Sequence, residues 1–373
     1  MEVNKFRLVG CSENDLEGAA TAQLKGASTL TGLEQAVGFP DLHPGKTGPV
    51  GAAFACVNFI HPALIGNDVG CGMLFCCLDL SRHKMKLDRW EKKLDGLDQP
   101  WPGDGKTWLE KFNVDPRSAS QTLGTIGGGN HFAEIQCLEQ VVDEGLFAEN
   151  QLDQRQLFAL IHSGSREHGQ ALLHKHLSAN GFNALPAESA AGEAYVAEHN
   201  AAVRWAFANR SLIAQRLAEA IGAAAHVVLD APHNWVTQET IGDETFWLHR
   251  KGAASAALNL TIFPGSRGSF SFLAKPLRNE AENLFSLPHG AGRKWTRSDC
   301  KAHLESRYSP EDLRRTTLGG RVICEDRALL YEEAPQAYKN IERIVGKLEA
   351  DGWIRVVAKL RPLLTYKCRR NNS

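Results

Sequence analysis

Apolar positions along this chain fall into distinct patterns. Short continuous runs at residues 50–59, 73–80, 157–161 and 258–263, bounded by glycine, proline or small polar residues, read as strands buried on both faces. Spacing of 3.6 marks helices over residues 166–178 and 190–222, the second with Tyr195, Val203, Phe207, Leu212, Ile213 and Leu217 on its stripe. The same period recurs in Tyr338, Ile341, Ile344, Val345 and Leu348, opened by Pro335 and broken at Asp351-Gly352. Alternation of Ile354, Val356, Ala358 and Leu360 then predicts a strand. A polar helix is expected over residues 85–97, and short strands over 130–135, 226–230 and 246–252. Residues 6–35 give only weak periodicity, while glycine and proline make 37–49 and 98–120 read as loops. No repeat or linker interrupts the 373 residues, so one continuous domain over 1–373 is the simplest organisation.

Composition narrows the picture. Hydrophobic residues at 43% and charged residues at 23% describe an ordinary globular chain. A formal net charge of -1 gives no overall pull toward a polyanion, so a nucleic-acid partner would need a local patch. Candidates for that patch are Arg267, Arg293, Lys294, Arg297 and the basic end from Lys367 to Arg370. Nine cysteines without a CxxC pair, and a start at Met1–Lys5 unlike a signal segment, predict a reduced, cytoplasmic protein. No apolar run has the length of a membrane span.

Candidate chemistry sits where strands end. Asp68 and Cys71 occupy a glycine-rich turn between the two runs at 50–59 and 73–80. A carboxylate and a thiolate together suit a borderline or transition metal better than Mg or Ca, which favour oxygen alone. By themselves the two also fit a turn residue and a small buried hydrophobe. His131, His162 and His233 stand in similar strand-end settings, and five ligands are too many for one structural zinc but suit two metals sharing a thiolate. His289 differs, because Gly290, Ala291 and Gly292 follow it and then Arg293 and Lys294; an imidazole among cations is a plausible nucleophile toward a phosphoanhydride. The segment Pro264 to Ser271 offers small residues and exposed amides to phosphate oxygens. Asp41 and His43 lie in the predicted loop at 37–49, and His174, His176 and His199 read as solvated helix residues.

These blocks together resemble the RtcB family of RNA-splicing ligases. The match is carried by Asp68-Val-Gly-Cys71-Gly-Met, Gly127-Gly-Gly-Asn130-His131-Phe, Ile161-His162-Ser-Gly-Ser165-Arg, His233-Asn234 with His249-Arg-Lys-Gly252, and His289-Gly-Ala-Gly-Arg293, in the family's order. The resemblance implies an α/β fold of central mixed sheets and flanking helices around a deep metal and GTP cleft. It implies a ligase dependent on GTP and two Mn²⁺ ions, joining RNA 3'-phosphate or 2',3'-cyclic phosphate ends to 5'-hydroxyl ends. Cys71 would bridge the metals, with His131 and His162 on one and Asp68 and His233 on the other. His289 would carry the guanylate, and Asn130, Glu134, Ser266, Ser271, Lys367 and the Gly290–Gly292 segment would hold it. Asp41 matches a family aspartate near the metals. Asn67, Pro288 and Arg267 depart from the usual pattern, as in short relatives encoded beside a release-factor homologue. That similarity brings cleaved ribosomal or transfer RNA into view as substrate, and archease or a release-factor-like protein as partner. Two other readings keep the metals: a cyclic phosphodiesterase, and a metal-stabilised RNA-binding protein without catalysis.

Overall fold

A computed structural model describes residues 5–278 and 280–369. Its largest sheet has strands in the order Thr261–Phe263, Ser271–Pro276, Ile354–Cys368, Phe132–Val141, Gln156–Ser163, Gly72–Ser81 and Ala225–Pro232, with Arg321–Cys324 pairing alongside Ile354–Cys368. Two of the continuous apolar runs, Gly72–Ser81 and Gln156–Ser163, are inner strands of this sheet, covered on both faces. Leu74, Cys76, Ala159 and Ile161 face one core cluster, while Met73, Phe75, Phe158 and Leu160 face another.

The first of those clusters is closed by the long helix Ala190–Ile221, through Ile213, Ala214, Leu217 and Ala218. Ser189 caps its start by accepting from the Gly192 amide, and Gly222 ends it in the left-handed conformation. A second sheet orders Phe6–Leu8, Leu33–His43, Val50–Cys56, Glu244–Lys251 and Asn234–Ile241. Its Val37, Phe39, Ala53 and Leu248 pack with the Ile341–Ala350 helix residues Ile344, Val345 and Leu348. Among the described residues no helix is long and apolar enough to cross a membrane.

Several expectations are corrected. Residues 33–43 form a strand rather than the front of a loop. Its pairing with Val50–Cys56 jumps between Gly38 and His43, so Phe39-Pro40-Asp41-Leu42 bulge out of the ladder. Proline has no amide for a ladder and belongs at such a bulge. The bulge turns Asp41 into the protein, where it is fully buried.

Pro335 opens a separate 3-10 turn, and Asn340 instead caps the helix that follows. The polar helix contracts to Leu87–Lys93. The last strand runs on to Cys368 instead of stopping near 360, which carries Lys367 into the interior.

His176 and His199 are buried, not solvated, and His199 Nε2 accepts from the Val236 amide at 3.1 Å. His174 is exposed as expected. Burial also dissolves most of the expected basic patch. Arg267 is 6% exposed and donates to the Leu330 carbonyl, while Arg293 pairs with Glu333 at 3.1 Å. Lys294 and Arg297 remain exposed, and Arg370 lies outside the described residues, as do Met1 to Asn4.

Candidate metal centre and its neighbouring histidine

Five residues from four separate strand ends converge. Asp68 and Cys71 sit in the turn that leads into Gly72–Ser81, where the Cys71 amide bonds the Asp68 carbonyl at 3.1 Å. His131 immediately precedes Phe132–Val141, His162 is next to last in Gln156–Ser163, and His233 follows Ala225–Pro232. Because these strands are neighbours in one sheet, residues scattered over the sequence arrive at one edge. Cys71 Sγ lies 3.3 Å from His131 Nε2 and 3.1 Å from His162 Nε2; His162 Nε2 lies 3.3 Å from His233 Nε2, and His131 Nε2 lies 2.8 Å from Asp68 Oδ2.

The grouping differs from the pairing expected from the resemblance. Ligand atoms of Cys71, His162 and His233 fall within 4.8 Å of one another, as do those of Asp68, Cys71 and His131. Cys71 is common to both groups, with His131 beside Asp68 in one and His162 beside His233 in the other. The interval from Asp68 to Cys71 bends both toward His131, and a regular strand pairing puts His162 opposite Met73.

The donor set fits a transition metal. His131 Nδ1 is 3.1 Å from the Ile126 carbonyl and His162 Nδ1 is 3.2 Å from the Asn130 carbonyl. A carbonyl only accepts, so each Nδ1 carries its hydrogen and each Nε2 faces the site, where it would present a lone pair to a bound metal. Burial, then the neighbouring imidazoles, hold His162 and His233 well below the ordinary histidine range and so neutral. Burial and the Asp68 carboxylate push the Cys71 thiol up, a penalty that a bound cation reverses. Burial alone would raise Asp68, but the charge and hydrogen bond of His131, the Cys71 hydrogen bond and the Arg166 charge together hold the carboxyl below its ordinary value.

The turns are held by residues the sequence reading treated only as helix positions. Arg210, in the middle of Ala190–Ile221, donates to the Gly70 carbonyl at 2.6 Å and the Ser163 carbonyl at 2.9 Å, and pairs with Asp230 at 2.7 Å. Asn209 beside it accepts from the Gly124 amide at 2.7 Å and donates to Ser163 Oγ and the Gly164 carbonyl. Asn234 donates to the Asp68 carbonyl and accepts from the Gly252 amide. One helix and one asparagine thus tie the ligand turns together.

Gly164 has a steric role. A Cβ there would lie 2.1 Å from Asp68 Oδ1, so any side chain displaces the carboxylate. Gly164→Ala is expected to weaken metal binding roughly 10–100-fold while the chain still folds. Metal titration alongside a melting curve checks this; unchanged affinity would mean the carboxylate has room to spare.

His289 stands against the same centre, its ring centroid 4.7 Å from that of His233. Its Nδ1 lies 2.6 Å from Asp41 Oδ2, and its backbone amide donates to the same oxygen at 3.1 Å. This contact engages Nδ1 and leaves Nε2 as the ring nitrogen without a hydrogen-bond partner among the described residues. The segment after it is fitted closely: Gly292 has φ +68, and a Cβ would stand 2.3 Å from the Asp41 carbonyl oxygen.

The other predicted residues lie around this core. Gln136 Nε2 donates to Glu134 at 2.6 Å and to Ser271 Oγ at 2.9 Å, which links those two. Lys367 Nζ donates to the Gly129 carbonyl at 2.8 Å, one residue before Asn130. Ser266 lies in the loop before Ser271–Pro276, its Oγ 3.0 Å from Ser269 Oγ. Gln136, which no motif flagged, completes the chain from Ser271 to Glu134.

A fold of mixed sheets carries, at one sheet end, a thiol–imidazole–carboxylate cluster that could hold a metal ion. Its sequence matches the family model described as tRNA-splicing ligase RtcB over residues 23–106 and 104–368. The chain is 46% identical to the RNA-splicing ligase RtcB2 of Escherichia coli, across 94% of this chain and 93% of that protein. It is 30% identical to the RNA-splicing ligase RtcB1 of the same organism, with 88% of each chain covered, and 25% identical to the tRNA-splicing ligase RtcB of Aeropyrum pernix. The chain belongs to the RtcB family, and is an RNA ligase of it.

Proposed function

We propose that this ligase joins RNA 3'-phosphate or 2',3'-cyclic phosphate ends to 5'-hydroxyl ends, using GTP and two Mn²⁺ ions and passing through a guanylylated His289. The observation that carries the reading is the Asp41–His289 contact, which engages Nδ1 and leaves Nε2 as the ring nitrogen available for attack beside the metal cluster. Asp68, Cys71, His131, His162 and His233 would hold the metal, which when bound offsets negative charge on phosphate oxygens and activates water.

In the first step His289 Nε2 attacks the α-phosphate of GTP and pyrophosphate leaves. The new cationic character of the imidazole is met by the Asp41 carboxylate through Nδ1–H. The guanylyl group then passes to the RNA 3'-phosphate, and attack by the 5'-hydroxyl expels GMP as the phosphodiester forms; a cyclic phosphate is hydrolysed beforehand. Asn130, Glu134, Ser266, Ser271, Lys367 and the Gly290–Gly292 backbone would hold the guanylate. The chain acts as one ligase domain in the cytoplasm on cleaved ribosomal or transfer RNA, with archease or a release-factor-like protein as candidate partner.

Glu134 gives this reading a pH signature. Burial pushes its carboxyl up to about 7 from 4.5, against the opposing hydrogen bonds of Thr365 and Gln136 and the charge of Lys367. Below pH 7 it is protonated and a poor acceptor for guanine N–H groups; above pH 7 it accepts them. GTP affinity should therefore rise between pH 6 and 8, and Glu134→Gln should flatten that rise in an equilibrium titration. The same shift affects folding: between 4.5 and 7 the native chain keeps a proton that the unfolded chain has lost, so stability from this group falls as pH rises through that window. The overall reading is tested with synthetic RNA ends: ligation should need GTP, and a 5'-phosphate should block it. Equal ligation without GTP would refute it.

A further inference from the structure

Cys324 and Cys368 form a sulfur pair outside the metal centre. They are register partners on the parallel strands Arg321–Cys324 and Ile354–Cys368, and their Sγ atoms lie 3.9 Å apart. Cys324 is fully enclosed, whereas Cys368 lines a cavity of about 250 Å³ together with Gly127, Gly128, Gly129, Arg166 and Asp326. A small oxidant reaching that cavity meets Cys368 first. The two thiols are also unequal. Hydrogen bonding between the two sulfurs, helped by the Asp326 and Glu325 backbone and opposed by burial, lowers Cys368, while its partner is driven up. Such a pair combines a reactive thiolate with a resolving thiol.

We infer that Cys324 and Cys368 are a redox modification site, closed to a disulfide by hydroperoxides and reopened by thiols, that governs the placement of Lys367. The Cys368 thiolate attacks one peroxide oxygen; the S–O bond forms, the O–O bond breaks, and hydroxide leaves to become water. Cys324 then attacks the sulfenic sulfur. The S–S bond forms, the S–O bond breaks, and hydroxide takes up the thiol proton. Two thiols are oxidised, and one peroxide is reduced to two waters.

Closure to about 2.05 Å between sulfurs draws the strand end toward Arg321–Cys324. Lys367 is the preceding residue, held by its bond to the Gly129 carbonyl, and lies 3.9 Å from Glu333. The adjoining Asn130 carbonyl is the one that orients His162. Oxidation at the pair thus reaches both the residue expected to hold guanylate and a metal ligand.

The effect on ligation rests on the proposed function; the chemistry of the pair does not. The metal-loaded native protein is treated with stoichiometric hydrogen peroxide and digested without reduction. The Cys324 and Cys368 peptides should appear as one linked species that dithiothreitol separates, and ligation should fall at least tenfold and return on reduction. Cys368→Ser should keep its ligation under the same dose, and Cys324→Ala serves the same purpose if the serine variant folds poorly. Both peptides unlinked, or equal inactivation of native and variant proteins through another cysteine such as Cys71, would overturn the inference. If the reduced native protein ligates nothing, that counts against the proposed function, and the linked peptide alone decides the site.

Discussion

Cys71→Ala is expected to lose metal at both positions together and RNA ligation with it. The expectation follows from geometry: Sγ lies within hydrogen-bond range of both His131 and His162, and it is the one atom shared by the two ligand groups. Removing it leaves one carboxylate and one imidazole on one side and two imidazoles on the other, short of the three protein ligands of an open catalytic site. The loss should be roughly 100-fold or more in affinity, at or beyond the upper end of what outer-shell changes cost. Cys76→Ala and Cys77→Ala are the controls, since both residues lie along the strand, in the interior of the sheet. Metal analysis of the three variants after dialysis reads the result. A Cys71→Ala protein that retains one full ion would mean that the thiolate serves a single site.

Asp41→Asn carries the second large effect, and its signature is different. The asparagine can still bond one hydrogen, but it holds no negative charge against a forming imidazolium and does not fix the ring with Nδ1 protonated. Loss of such an oriented acid–base partner costs about 10²- to 10⁴-fold in rate. His289→Ala should abolish the reaction, yet both variants should keep their metal, because neither residue is among the ligands. Single-turnover guanylylation, measured beside metal content, separates this behaviour from that of Cys71→Ala. A near-normal rate in Asp41→Asn would reduce Asp41 to a packing residue.

The five candidate ligands were legible in sequence because each stands where an apolar run meets small residues, and local pattern is enough to see that. Two inner strands of the large sheet, Gly72–Ser81 and Gln156–Ser163, were legible for the same reason. What the pattern could not supply was pairing across the chain. Asp41 and His289 are 248 residues apart, and the bulge at Phe39-Pro40-Asp41 that joins them looks like a loop when only its proline and glycine are read.

Division of the ligands between two groups likewise depends on which strands are neighbours, which spacing along the sequence does not encode. Arg210 and Asn209 sat unnoticed in a helix, because a polar residue on a long helix is ordinarily solvated; only the sheet edge beneath them makes their burial sensible. Lys367 and Arg267 show the opposite case, since both are buried where a basic surface patch is expected. Charge suggested surface, but the last strand is longer than its alternating segment and Arg267 finds its acceptor on the helix Arg327–Glu332.

His289 is the residue proposed to carry the nucleotide. The direct measurement incubates the metal-loaded native protein with Mn²⁺ and labelled GTP, then maps the modified peptide by mass analysis. A guanylate on the peptide containing His289, absent in His289→Ala, is the predicted result. A metal-replete protein that ligates RNA with no adduct there, or with an adduct that persists in His289→Ala, would contradict it.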